Sequence, residues 1–279
     1  MVHGLGRGEA MICDAHYWKG MGHQVCEDYA RAIECSRGLI TAVSDGCSGA
    51  PDTDIGARLI ACAAAHQYIL TGGVSLPVVV DTVQRLVPPG IHTDCLHATL
   101  LTIQPDERGV VASVTGDGLV LVRHRDTKLI EVYDVDYQDV PGYPYYLHED
   151  KQKVFFGQGY GQRVISRHLE GEDCIVIRED MVTPETLTYS LPFPSSMFDL
   201  VMVCTDGVKT FRDASSTPVP TMDVAKYLMD IRVLKGEFVQ RAANFFRKMV
   251  VAKQGWSHYD DIGLGAIYMP EPEEDNDGC

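Results

Sequence analysis

Two apolar stretches of this chain each run into an Asp-Gly pair. One, residues 38–46, ends Ala-Val-Ser-Asp45-Gly46, and the other, residues 198–207, ends Val-Cys-Thr-Asp206-Gly207. Short apolar runs of this kind read as buried strands. A carboxylate at the end of such a strand emerges at the edge of the sheet, where a ligand can reach it. The glycine behind it lets the backbone turn sharply and brings its carbonyl close to whatever the carboxylate holds. Asp-Gly alone most often makes a turn, but two after near-identical strand ends argue for a shared role. They lie more than a hundred residues apart, so only the fold can bring them together. With Glu27-Asp28, Asp117 and Asp260-Asp261, they outline a set of acids around metal ions.

The remaining pattern is mostly β. Runs at 98–103, 110–115 and 119–123 are apolar or β-branched. They are separated by Asp106-Glu107-Arg108-Gly109 and by Gly116-Asp117-Gly118, which read as turns, the second as a hairpin tip. Further strands are expected at 129–135, 173–177 and 262–269. Asp52-Thr53-Asp54 opens a helix with Ile55, Leu59, Cys62, His66 and Ile69 at helical spacing, and Gly72-Gly73 ends it. A second, short helix starts near Pro77 and stops at Pro88-Pro89. Two more helices carry the stripes Val224, Leu228, Ile231 and Val239, Ala242, Phe246, Met249. Residues 137–160 read as a long irregular segment, a kind that is usually functional or mobile. Its Tyr137, Tyr143, Tyr145 and Tyr146 either shape substrate entry or pack inward.

Strands dominate, and the helices come in pairs after strand segments. That favours an α+β fold of two packed sheets flanked by helices over a βαβ parallel sheet. Residues 1–269 read as a single domain, and 270–279 as an acidic, disordered tail in which Glu271, Glu273, Glu274, Asp275 and Asp277 cluster.

The net charge of −15 argues against a nucleic-acid backbone or an anionic membrane as the main partner. No apolar run is long enough to cross a bilayer, and the N-terminus lacks the apolar core of a signal peptide. The nine cysteines are odd in number, and no pair has Cys-x-x-Cys spacing. This fits a reducing cytoplasm, and neither a disulfide framework nor a zinc site.

Hard divalent ions such as Mg²⁺ and Mn²⁺ take oxygen ligands, and a pair of them needs several carboxylates. Packed acids without such ions repel one another, and some have raised pKa values. A cluster of this composition therefore favours metal binding.

In order along the chain, Glu27-Asp28, Val43-Ser44-Asp45-Gly46 with Ser48-Gly49-Ala50, Gly116-Asp117-Gly118, Cys204-Thr205-Asp206-Gly207 and Asp260-Asp261-Ile262 resemble the motifs of the metal-dependent protein phosphatases of type 2C, the PPM family. The resemblance covers about residues 19–268, and 44–61 look especially like bacterial members. It implies a four-layer α-β-β-α sandwich of two mainly antiparallel sheets, with two tightly bound Mn²⁺ or Mg²⁺ ions in a cleft at one end. By position, Asp45 would bridge both ions, and Asp206 and Asp260 would hold the first. The Gly46 carbonyl would bind the second, with Glu27 and Asp28 close by, partly through water. Asp117 matches a residue that, with Asp206, holds a third, looser ion.

The implied activity is hydrolysis of phosphoserine and phosphothreonine in proteins by a hydroxide bridging two ions, opposing a serine/threonine kinase. None of the cysteines has to be catalytic. Two positions depart from the family pattern. His23 stands where many eukaryotic members have a phosphate-gripping Arg, with Lys19 able to compensate. Cys47 stands where many members have a His proposed as general acid. These departures motivate an alternative, a catalytically weak or inactive phosphatase-like binding or sensing module. A third reading is another two-metal phosphohydrolase acting on a small molecule.

Overall fold

The computed structural model describes residues 10–271. The stretch read for a signal peptide, residues 1–9, and the expected acidic tail from 272 on lie outside the described residues.

Among those residues the strands form two antiparallel sheets, one of seven strands and one of five. The first has the order β1 (Ile12–Trp18), β12 (Ile262–Tyr268), β11 (Phe198–Cys204), β6 (Gly118–His124), β7 (Ile130–Tyr137), β8 (Gln162–Leu169) and β9 (Ile175–Met181). The second runs β10 (Thr188–Pro194), β5 (Gly109–Thr115), β4 (Leu100–Pro105), β3 (Gly38–Ser44) and β2 (Tyr29–Cys35).

The side-chain alternation within single strands sets the layers. On β11, Val201 and Val203 face the second sheet, and on β6 Val120 and Val122 do the same. Leu200, Met202 and Cys204, with Leu119 and Leu121, point the other way, onto helices α4 (Thr221–Met229) and α5 (Phe238–Phe245). Both faces of these strands are covered, which is why their sequences are continuously apolar. The second sheet is clad likewise. Ala42 and Leu100 pack against α1 (Thr53–Thr71) and α2 (Leu76–Leu86). The result is the expected α-β-β-α sandwich. Gly72 ends α1 in the left-handed region at φ 81° and donates to the Tyr68 carbonyl, as the Gly-Gly pair predicts.

Three expectations are corrected. Gly116-Asp117 is not a hairpin tip, because β5 and β6 belong to different sheets. The turn carries the chain from one sheet to the other. A Cβ on Gly118 would lie 2.6 Å from Leu101 Cδ2 and 2.9 Å from the Cys204 carbonyl oxygen, so only glycine fits between the layers. Residues 137–160 are not wholly irregular, since they contain a 3₁₀ turn (Pro144–Leu147) and helix α3 (Glu149–Gly157). Tyr143 and Tyr145 are buried, and Tyr146 stacks on Phe155 at 4.2 Å. Met249 is not on a buried stripe, because the helix passes into a π turn over Phe246–Val251 that leaves it 39% exposed.

Strands β8 and β10 escaped the sequence reading for identifiable reasons. β10 carries Pro192 and Pro194, which strand interiors exclude and edges tolerate, and it is an edge strand. In β8 the buried Arg163 is satisfied by a bidentate bond to Asp180 on β9.

Candidate functional site

Asp45 follows β3 of the five-stranded sheet, and Asp206 follows β11 of the seven-stranded one. Asp117 sits on the crossing between them, and Asp28 immediately precedes β2. These ends lie at one end of the sandwich and bring their acids together. Asp45 is fixed through its backbone: its N–H donates to Thr99 Oγ1 at 3.0 Å, and its carbonyl accepts from Thr99 N at 2.8 Å. Gly46 is packed so tightly that a Cβ would lie 2.7 Å from the Thr53 carbonyl oxygen. Asp206 opens a 3₁₀ turn, Asp206–Lys209.

The electrostatics report the convergence. Burial, above all, raises the Asp28 carboxyl to about 8, with Asp261 and Asp206 adding to it against the hydrogen bonds from Asp45 and Thr205. Burial, then the charges of Asp28 and Asp206, push Asp45 well above the usual carboxylate range. Asp117 is raised to about 7 by burial and by Asp206. Asp206 is raised by burial and by Asp260, against the pull of Lys209. Asp45 is the middle member, its carboxyl raised by the charges of both Asp28 and Asp206. Acids packed this way repel one another when ionised, which is the cost a bound cation would remove.

Asp260 and Asp261 divide their labour. Asp260 is partly exposed and its charge bears on Asp206. Asp261 is buried and acts as a strap. Its Oδ1 accepts from Gly20 N at 2.7 Å, and its Oδ2 accepts from Glu27 N at 2.5 Å and contacts His23 Nδ1 at 2.9 Å. The loop from Gly20 to Glu27 is thereby tied to the start of β12. Glu27 lies beside the cluster, its Oε2 4.0 Å from His23 Nδ1.

His23 also approaches Asp260 Oδ1 at 3.5 Å and Ser48 Oγ at 3.4 Å. Burial lowers its pKa, but Asp261, Asp260 and Glu27 outweigh burial and raise it. Lys19 is exposed and donates to the His23 carbonyl at 2.7 Å. Cys47 stands against the Tyr143 hydroxyl, whose pKa is pushed up by burial and then by that thiol.

The sequence reading missed three participants. Thr205 donates to Asp28. Lys209 pairs with Asp134 at 3.2 Å and Asp136 at 3.1 Å. Asp261 was noted only beside Asp260, with no role of its own. One signal was available: Asp134 and Asp136 stand two apart on a strand and so share a face.

Among the described residues, no group of three or more His, Cys, Asp or Glu side chains is arranged to hold a metal ion as it stands. The donor chemistry nevertheless fits a hard cation. Among the described residues, no donor reaches the buried oxygens Asp28 Oδ1 and Glu27 Oε2, and buried oxygens left unpaired are costly. An apolar groove of about 290 Å³ lies between α1, α2 and β2, but no carboxylate lines it. Ionisable chemistry, not depth, marks the site.

No family model and no curated protein matches the sequence. The fold is that of bacterial serine/threonine phosphatases. The phosphatase PstP/Ppp of Mycobacterium tuberculosis is 15% identical, with 94% of this chain and 100% of that one covered at a TM-score of 0.52. The catalytic domain of PstP, in a complex with two manganese ions, is 14% identical over 94% of this chain and 99% of that one, also at 0.52. Stp1 of Staphylococcus aureus is 10% identical over 97% and 100%, again at 0.52. At these identities the likeness is one of fold.

Proposed function

We propose that this chain is a Mn²⁺- or Mg²⁺-dependent phosphatase that hydrolyses phosphoserine and phosphothreonine in proteins, opposing a serine/threonine kinase in the cytoplasm. One observation carries the reading: acids from both sheets, Asp28, Asp45, Asp117 and Asp206, converge, and burial and like charge raise the pKa of each. Such a convergence is costly for a scaffold and useful for binding cations. Among the described residues no helix is long and apolar enough to cross a membrane.

Asp45, raised by the charges of both Asp28 and Asp206, is the acid that would serve both ions. Asp206 and Asp260 would hold one ion, and Asp28, Glu27 and the Gly46 carbonyl are the donors that would hold the other. Asp117 with Asp206 offers a looser third position. Divalent ions bound there supply an acidic water as nucleophile and offset charge on the phosphoryl oxygens. His23 and Lys19 are the candidates to grip a substrate phosphate. Asp261 ties that loop to the start of β12 through Gly20, His23 and Glu27. The buried Tyr143 closes the side next to Cys47.

The test is hydrolysis of a phosphothreonine peptide by the metal-stripped protein with and without added Mn²⁺. Turnover that appears with Mn²⁺ and disappears with chelator is expected. Absence of turnover at saturating Mn²⁺ would remove the assignment. A second reading, a phosphatase-like binding module, draws on the lack of a ready-made cage and on His23 being engaged by Asp261. Calorimetric binding of the same peptide without hydrolysis would favour it.

A further inference from the structure

Beside the acid cluster stands one half-buried ammonium that the mechanism above does not use. Lys209 ends the 3₁₀ turn that Asp206 begins. Its side chain is only 23% exposed and runs between Asp134 and Asp136 on β7, at 3.2 and 3.1 Å. Residues two apart on a strand face the same way, so β7 presents both carboxylates to the one ammonium.

A buried ammonium is costly unless acids surround it. Here burial lowers the Lys209 pKa, but Asp134, Asp136 and Asp206 more than reverse that, so the group stays charged. Its field reaches further than its ion pairs. It is a cation that opposes the raised pKa of both Asp206 and Asp117. Asp136 acts on the same two acids with the opposite sign.

We propose that Lys209 is a resident cation that sets how many divalent ions the site takes up: its ammonium supplies positive charge on the Asp117–Asp206 side and makes a further divalent ion there unfavourable. The inference rests on the metal-dependent reading above and assigns Lys209 a positioning role. At separations of several ångströms in a partly buried site, one unit charge alters a divalent ion's binding by roughly tenfold or more. A tie that merely pins the turn to β7 would have no such effect on ion uptake.

The test is calorimetric titration of the metal-stripped protein with MnCl₂ at fixed ionic strength. It compares wild type with two neutral variants, Lys209→Gln and Lys209→Met, and the charge-keeping Lys209→Arg. Gln keeps hydrogen bonding to Asp134 and Asp136, and Met does not, so a folding loss in Met leaves Gln as the readout. The neutral variants are expected to take up an additional equivalent of Mn²⁺, or to bind the weakest one roughly tenfold tighter, with Lys209→Arg close to wild type. A lowered melting temperature with an unchanged Mn²⁺ isotherm would make Lys209 a structural tie and overturn the inference alone. Failure of the wild-type protein to bind any Mn²⁺ would instead remove the metal-dependent reading, and this inference with it.

Discussion

Thr205 donates its hydroxyl to Asp28 Oδ2 at 2.7 Å, across 177 positions of sequence. The Thr205 hydroxyl oxygen in turn accepts from Gly263 N at 2.9 Å. One hydroxyl therefore joins the end of β11, the start of β12 and the residue before β2, binding the two sheets beneath the acids. Thr205→Val keeps the shape and deletes both bonds. It should cost about 1–3 kcal/mol, since it also strands a buried backbone donor. Urea denaturation of the metal-free protein measures this. Thr205→Ser should recover most of the loss, and equal stability in Val and wild type would show that the bonds contribute nothing.

The raised acids predict a pH dependence. Asp28 goes from 3.8 to about 8 and Asp117 from 3.8 to about 7. Both bind protons more readily folded than unfolded. Their stabilisation is fully present below the unfolded value and is lost as pH rises through about 7 and 8. Metal-free protein should therefore lose stability from this cluster between about pH 4 and pH 8. His23, also raised, acts in the same direction, while His16, His97 and His258, held low by burial, act against it. The decisive comparison is thus Asp28→Asn with wild type in chelator. The variant should show a shallower fall in melting temperature, and parallel curves would contradict the raised Asp28.

These two relationships divide what was legible in the sequence from what was not. The strand ends at Asp45 and Asp206 were legible because burial on both faces of β3 and β11 leaves continuous apolar runs. The helix pairs were legible through capping and period, as the Gly72 cap on α1 shows. Asp117 was located, but its turn was misread, because local sequence does not encode which sheet the next strand joins. Thr205 and Asp261 look like ordinary neighbours of an acid until the fold places Asp28, Gly20 and Glu27 against them. Lys209 was hidden for the same reason, since its partners on β7 lie over seventy positions upstream.

The adjacent acids Asp260 and Asp261 should separate by experiment. Asp261→Asn loses charge and acceptor capacity toward Gly20, Glu27 and His23, and should destabilise by about 2 kcal/mol or more. Asp260 is partly exposed, so Asp260→Asn should leave stability within about 0.5 kcal/mol. It should weaken Mn²⁺ binding and turnover instead. Chemical denaturation beside Mn²⁺ titration distinguishes the two, and a reversed ranking would exchange their roles.

Asp45→Asn should uncouple stability from activity. The carboxylate stands between Asp28 and Asp206, where burial and like charge both disfavour its ionised form. Replacing it with a neutral isostere should raise the melting temperature of metal-free protein at pH 8. Phosphopeptide turnover with Mn²⁺ should fall roughly a hundredfold or more. A variant that is both less stable and fully active would contradict the arrangement.

Gly207 sets how closely the two halves of the site approach. A Cβ there would lie 1.7 Å from the Asp261 carbonyl oxygen. That atom is backbone and cannot rotate away, so Gly207→Ala must part the end of β11 from the start of β12. Parting them separates Asp206 from Asp260, and it also breaks the bond from Thr205 N to the Gly263 carbonyl at 3.1 Å. The expected cost is about 3 kcal/mol or more, at the upper end for overpacking. Gly49 provides the control. Its Cβ would meet only Cys47 Sγ, at 3.6 Å, so Gly49→Ala should stay within about 0.5 kcal/mol of wild type. Thermal denaturation of both variants reads the difference directly. If Gly207→Ala melted with Gly49→Ala, β11 and β12 would not be held as close as the structure places them.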